Sequence, residues 1–158
     1  MKHSSRMASL LKKITGVDFS TLPDHVTTYH KFFREHYMPL VVESFCDGDN
    51  RRMVSVAHYF EQNGDLCQDP EIVFWVQNGY LFPVEETMAC LGYRRLVEWR
   101  DGKLFLNRAG QADVASFANI WSTNLRQQGF DAKALVDGRA SDKLAESVQE
   151  ALTESVVG

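Results

Sequence analysis

Between Leu40 and Leu106 the chain is a series of short apolar runs cut by turn-forming residues, and that punctuation constrains the fold more than anything else in it. Asp47-Gly48-Asp49-Asn50, Asn63-Gly64, Gln77-Asn78-Gly79 and Arg100-Asp101-Gly102 break up runs at Leu40–Phe45, Met53–Gln62, Ile72–Val76, Tyr80–Val84, Tyr93–Trp99 and Lys103–Leu106. Such turns tolerate left-handed backbone and reverse the chain in a few residues. Connections this short join antiparallel neighbours, because a parallel crossover needs a dozen residues or more. Met53–Gln62 alternates, sending Val54, Val56, His58 and Phe60 to one face and Ser55, Ala57, Tyr59 and Glu61 to the other. Pro83 predicts a strand end or an edge position, since it cannot donate to a ladder.

Helical spacing appears at both ends. Met7, Leu10, Leu11 and Ile14 predict a short amphipathic helix capped by Ser4 or Ser5, with Gly16 just past it. A second short helix is expected near residues 26–35, beyond Pro23. Residues 109–128 predict a long helix with Val114, Phe117, Ala118, Trp121 and Leu125 on one stripe and Gly129 at its end. Residues 131–140 read as a linker. Residues 141–156 read as a thin helix, with Leu144, Val148, Leu152 and Val156 four apart. The expected fold is therefore α+β: an antiparallel meander of five to six strands, a long C-terminal helix on one face, and short terminal helices. Residues 1–130 form a single domain with its core in 38–130, and 131–158 follow as linker and helix. Val54, Val56 and Phe60 should pack on Phe117 and Trp121. Trp75 points away from Phe74 and needs its own cover, which the N-terminal helix or a partner would supply.

Composition narrows the function classes. The net charge of -4 is uneven: residues 1–36 balance at +3, 37–130 at -4 and 131–158 at -3. The basic end is mild for nucleic-acid binding, which would need Arg94, Arg95, Arg100 and the N-terminal lysines on one face. Three widely spaced cysteines, Cys46, Cys67 and Cys90, fit a reducing cytoplasm rather than a disulfide framework. No apolar run has the ~20 residues that span a bilayer, so no membrane association is expected.

Polar chemistry is dense only in Val56–Glu71. His58, Tyr59, Glu61, Asn63, Asp65, Asp69 and Glu71 form the candidate functional surface, and Arg94, Arg95 and Arg100 are candidate basic contacts. Converging carboxylates here would suit a hard cation or acid–base work. The same residue types also serve a turn for local reasons, and that structural role is the expectation. His25, His30 and His36 are five and six residues apart, which puts no two on one helical face, so no metal site is expected. No phosphate loop, dinucleotide fingerprint or nucleophile elbow is present, and no cofactor or catalytic residue is assigned.

Several strings carry a family likeness: Pro39-Leu40-Val41-Val42-Glu43, Ala57-His58-Tyr59, Glu61-Gln62-Asn63-Gly64-Asp65-Leu66, Asp69-Pro70-Glu71, Asn124-Leu125-Arg126 and Gln128-Gly129-Phe130. Over Leu40 to about Phe130 the chain resembles an uncharacterised bacterial family of unknown function found on plasmids and integrative conjugative elements. The resemblance implies a mobile-element accessory protein and brings no activity with it. The functional expectation is a non-enzymatic protein that binds another protein, with a host defence component such as a restriction or CRISPR effector as the partner class. A homodimer through the C-terminal helix is a further expectation. The alternatives are a metal-dependent or acid–base enzyme centred on the acidic turn, and a nucleic-acid-binding accessory.

Overall fold

The computed structural model describes residues 1–89 and 91–132. Its sheet is built by the turns. Asn63 and Gly64 hold φ of 54° and 83°, and Asn78 and Gly79 hold 51° and 83°. Two successive left-handed residues reverse the chain with the twist a hairpin needs. Strands β1 (Thr28–Phe32), β2 (Leu40–Cys46), β3 (Arg52–Gln62), β4 (Asp65–Gln77), β5 (Tyr80–Met88) and β6 (Gly92–Arg95) form one antiparallel sheet in sequence order. Strands β7 (Val97–Arg100) and β8 (Lys103–Leu106) form a separate hairpin.

The expected helix near 26–35 is instead β1. Its burial alternates, with Thr28, His30 and Phe32 inward. Two of those inward residues are polar, which hid the strand's period from the sequence. Thr28 is accommodated by a hydroxyl bond with Ser44 across the strand pair at 2.6 Å. The approach to β1 is pinned by Arg52, whose guanidinium donates to the Val26 and Pro23 carbonyls at 2.7 and 2.6 Å.

Both helices lie over one face of the sheet. Helix α1 (Ser5–Thr15) starts where Ser4 accepts the Met7 N–H at 3.2 Å and stops at Gly16, φ 69°. Helix α2 (Arg108–Gln127) is capped by Asn107 and closed by a bond from the Phe130 N–H to the Leu125 carbonyl across Gly129. Pairings climb together along the two helices: the Ser4 hydroxyl meets Asn119, Arg6 meets Thr123 and Lys13 meets Asp131, so α1 and α2 run parallel. Gln111, fully buried, ties the Lys2 backbone to the Pro83 carbonyl of β5. The N-terminal helix thus belongs to the same core as the sheet: Met7, Leu10 and Leu11 are buried beside Val54, Val56, Ile72, Phe74, Val114 and Trp121. The linker and helix expected over 131–158 lie, apart from Asp131 and Ala132, outside the described residues.

Three further expectations change. Phe60 is only half-buried and lies outside the core, which ends along β3 at His58. Pro83 neither ends β5 nor marks an edge. The register shifts between Val73 and Phe74, Val84 is the extra residue, and the strand runs on to Met88. A bulge accepts a residue without an N–H. Trp75 takes its cover not from α1 but from the chain's own second hairpin. The chain breaks pairing at Leu96, and the β7–β8 hairpin brings Trp99 edge-on to Trp75 at 5.3 Å. Arg51, held by Asp47 and Asp49 at 3.2 and 3.0 Å, lies 4.2 Å over the Trp99 ring and fastens the hairpin to the β2–β3 turn.

Two outcomes follow from this packing. Trp99→Ala should cost about 2 kcal/mol in urea unfolding, less than a fully buried tryptophan, because Trp99 is half-buried; a change under about 0.5 kcal/mol would show that the hairpin does not cover Trp75. His30 is buried and stacked on Phe32, with neither ring nitrogen bonded among the described residues. Burial pulls its pKa from 6.5 down to about 4. The unfolded chain takes up a proton below 6.5 that the folded chain refuses, so stability is full above pH 6.5 and falls toward pH 4. His30→Leu should flatten that acid limb by on the order of 3 kcal/mol. Parallel limbs in the two proteins would contradict the assignment.

Candidate functional site

The site is built by one irregularity. Ala57 pairs with Glu71 and Tyr59 pairs with Gln68, so His58 alone faces Asp69 and Pro70, joined by a cis peptide. In a regular strand Gln68 and Glu71, three apart, would point to opposite faces. The extra residue of the bulge puts both on the face away from the helices. There they converge on Tyr59: its hydroxyl and the Gln68 amide each donate to Glu71 Oε2 at 3.3 Å.

Glu43 completes the group. It pairs with Ser55 of β3, while Glu71 pairs with Ala57 two residues along. Because Ser55 and Ala57 are small, the two carboxylates interact across β3. Burial, and then the charge of Glu71, push the Glu43 carboxyl above the ordinary carboxylate range. The Tyr59 hydroxyl is pushed up to about 12 by burial, by the charges of Glu71 and Glu43, and by its bond to Glu71. No ion pair among the described residues involves Glu43 or Glu71. The floor around them is apolar, with Val41, Ala57 and Val73 buried. Among the described residues the β7–β8 hairpin covers the Trp75 end of this face and no further element lies over the Glu43–Glu71 end.

The other sequence candidates are dispersed. His58 turns into the core, where its ring lies 5.6 Å from Trp121 and 5.7 Å from Phe130 and its Nδ1 is 3.2 Å from the Pro39 carbonyl oxygen. Burial lowers its pKa, against opposing backbone bonds and Asp69. Asp69 accepts the Ala89 N–H at 3.4 Å. Glu61, Asn63 and Asp65 are exposed at the tip of the β3–β4 hairpin. Among the described residues no three His, Cys, Asp or Glu side chains gather in a way that could hold a metal. The three arginines do not all share a face: Arg95 and Arg100 line one cleft beside Glu98, and Arg94 stands apart from it. Arg94 and Arg95 are strand neighbours; Arg94 bonds the buried Glu86 at 2.9 Å, whereas Arg95 lies beside Tyr93, Glu98 and Glu85. Arg100 lies 3.5 Å from Glu98 and 4.0 Å over the Phe105 ring.

The sequence reading missed Glu43. Its signal was present: it is the lone charge in the run Leu40–Phe45, at an outward position of a strand whose inward neighbours are Val42 and Ser44.

The chain belongs to a family described as a domain of unknown function, DUF6908, whose profile matches residues 5–131. The match reaches back through α1 and β1, beyond the Leu40–Phe130 span of the sequence resemblance, as the shared core requires. Neither the curated proteins nor the solved structures contain a match.

Carboxyl-resolved NMR titration should find Glu43 above the ordinary glutamate range, and Glu71→Gln should bring it only part of the way back, because burial is the larger cause. An unchanged midpoint would mean the two carboxylates do not interact.

Proposed function

We propose that the protein acts by binding another protein through the open half of the sheet, not by catalysis. The observation that carries this reading is the Glu43–Glu71 pair, in no ion pair among the described residues, on the half of the sheet that no described element covers. Exposed aromatics stand at both margins, Phe33 just past β1 and Tyr93 on β6. Exposed aromatic margins and a carboxylate pair awaiting its counterpart make up a protein-contact surface. The complement is a partner with a lysine or arginine to seat between the carboxylates beside the Tyr59 hydroxyl. The mobile-element setting implied by the resemblance points to host defence components, such as restriction or CRISPR effectors. Proteins that handle nucleic acid present basic surfaces, which an acidic sheet face complements.

The test is capture of the partner from the native host, then affinity measurement with purified components. The double substitution Glu43→Lys, Glu71→Lys should weaken binding at least tenfold, about 1.4 kcal/mol, while Glu61→Lys at the hairpin tip leaves it unchanged. Full affinity in the double variant would overturn the reading.

A further inference from the structure

The basic N-terminal end finds its place on the opposite side of the molecule from the open sheet face. A groove of about 420 Å³ runs between the parallel helices, lined by Ser5, Arg6 and Ser9 of α1 and by Ser122, Thr123 and Arg126 of α2. This lining is chemically one-sided. It holds two guanidiniums and four hydroxyls and no carboxylate. Neither Arg6 nor Arg126 is in an ion pair among the described residues. Arg6 Nη1 donates to the Thr123 hydroxyl at 3.2 Å, which steers its guanidinium toward α2. The Thr123 and Ser122 hydroxyls donate to the Asn119 carbonyl, at 3.2 and 2.8 Å. The hydroxyls of Ser5 and Ser9, both on exposed residues, have no bond among the described residues and are free to donate.

We infer that this groove binds a phosphate-type oxyanion carried by a small phosphorylated ligand. Two planar guanidiniums flanking one cleft match the oxygen geometry of a phosphoryl group, which accepts paired N–H bonds from each. The serine hydroxyls supply neutral donors for the remaining oxygens. Two cations suit a single phosphoryl group. A nucleic-acid backbone takes a longer row of them, and the net charge of -4 opposes such a polyanion. The groove is separate from the open sheet face, so its occupancy and the protein-binding reading stand or fall independently.

Titration calorimetry of the full chain at low ionic strength tests the inference, with inorganic phosphate, phenyl phosphate and a single-stranded oligonucleotide as probes. Inorganic phosphate and phenyl phosphate should bind one per chain, with sulfate competing. Arg6→Gln and Arg126→Gln should each weaken binding at least tenfold, whereas Arg6→Lys should retain part of it. Both arginines are at the surface, so the variants' thermal midpoints without phosphate should match the parent's and show that the fold is intact. No phosphate binding up to about 10 mM, or equal binding by the parent and both glutamine variants, would overturn the inference. So would oligonucleotide binding that inorganic phosphate does not displace.

Discussion

The arrangement of this protein depends on one mismatch in strand pairing: His58 on β3 set against Asp69 and Pro70 on β4. Below it the ladder is regular and fully inside the core, with Val54 opposite Phe74 and Val56 opposite Ile72. Above it the two strands leave the helical layer as an exposed arm. At the mismatch itself the outward face gains a residue, and Gln68, Glu71 and Tyr59 come together on it. A sheet with strict two-residue alternation would have sent Gln68 to the face opposite Glu71, leaving Glu71 without its amide donor. His58, two residues past Val56 on the unbulged strand, keeps to the inner face, where it closes the end of the core against Trp121 and Phe130.

The two faces of the sheet are finished by different means. The inner face is sealed by two parallel helices and by buried polar anchors, Gln111, Arg52 and the Thr28–Ser44 pair, each with its bonds made inside the protein. Buried polar groups of this kind fix register, because any slip leaves them unsatisfied. Among the described residues the outer face is sealed at one end, where Trp75 and Trp99 meet under Arg51. The other end has small residues in the middle strand, acids on either side and exposed aromatics at the margins. Stability does not require a face so constituted. Burial, and then the charge of Glu71, hold the Glu43 carboxyl above the ordinary carboxylate range.

Much of this was legible in the sequence, and the misses share a physical cause. Helix α1 could be read to within a residue, from Ser4 or Ser5 as cap to Gly16 as stop, because capping chemistry is local, and Ser4 is the cap. The hairpins at Asn63-Gly64 and Asn78-Gly79 could be read for the same reason. β1 was missed because its inward positions are Thr28 and His30, whose burial is justified only by β2 and the helices. Pro83 misled because its tolerance depends on a bulge, a property of two strands rather than one. At the site, Tyr59 and Glu71 were identified as candidates, but their grouping with Glu43 and their separation from Asp69 and His58 follow from the pairing register, which no single segment encodes. The breadth of the family match, residues 5–131, fits a core in which α1 and β1 are integral.

The central claim is that the bulge aims a contact surface on the open half of the sheet. Hydrogen–deuterium exchange on the complex with the captured partner tests it most directly. Binding should slow exchange in residues 41–43, 55–59 and 68–73, and leave the hairpin tip at 61–65 and helix α1 unchanged. Protection confined to the tip or to the helices, with β2–β4 exchanging as in the free protein, would contradict the account.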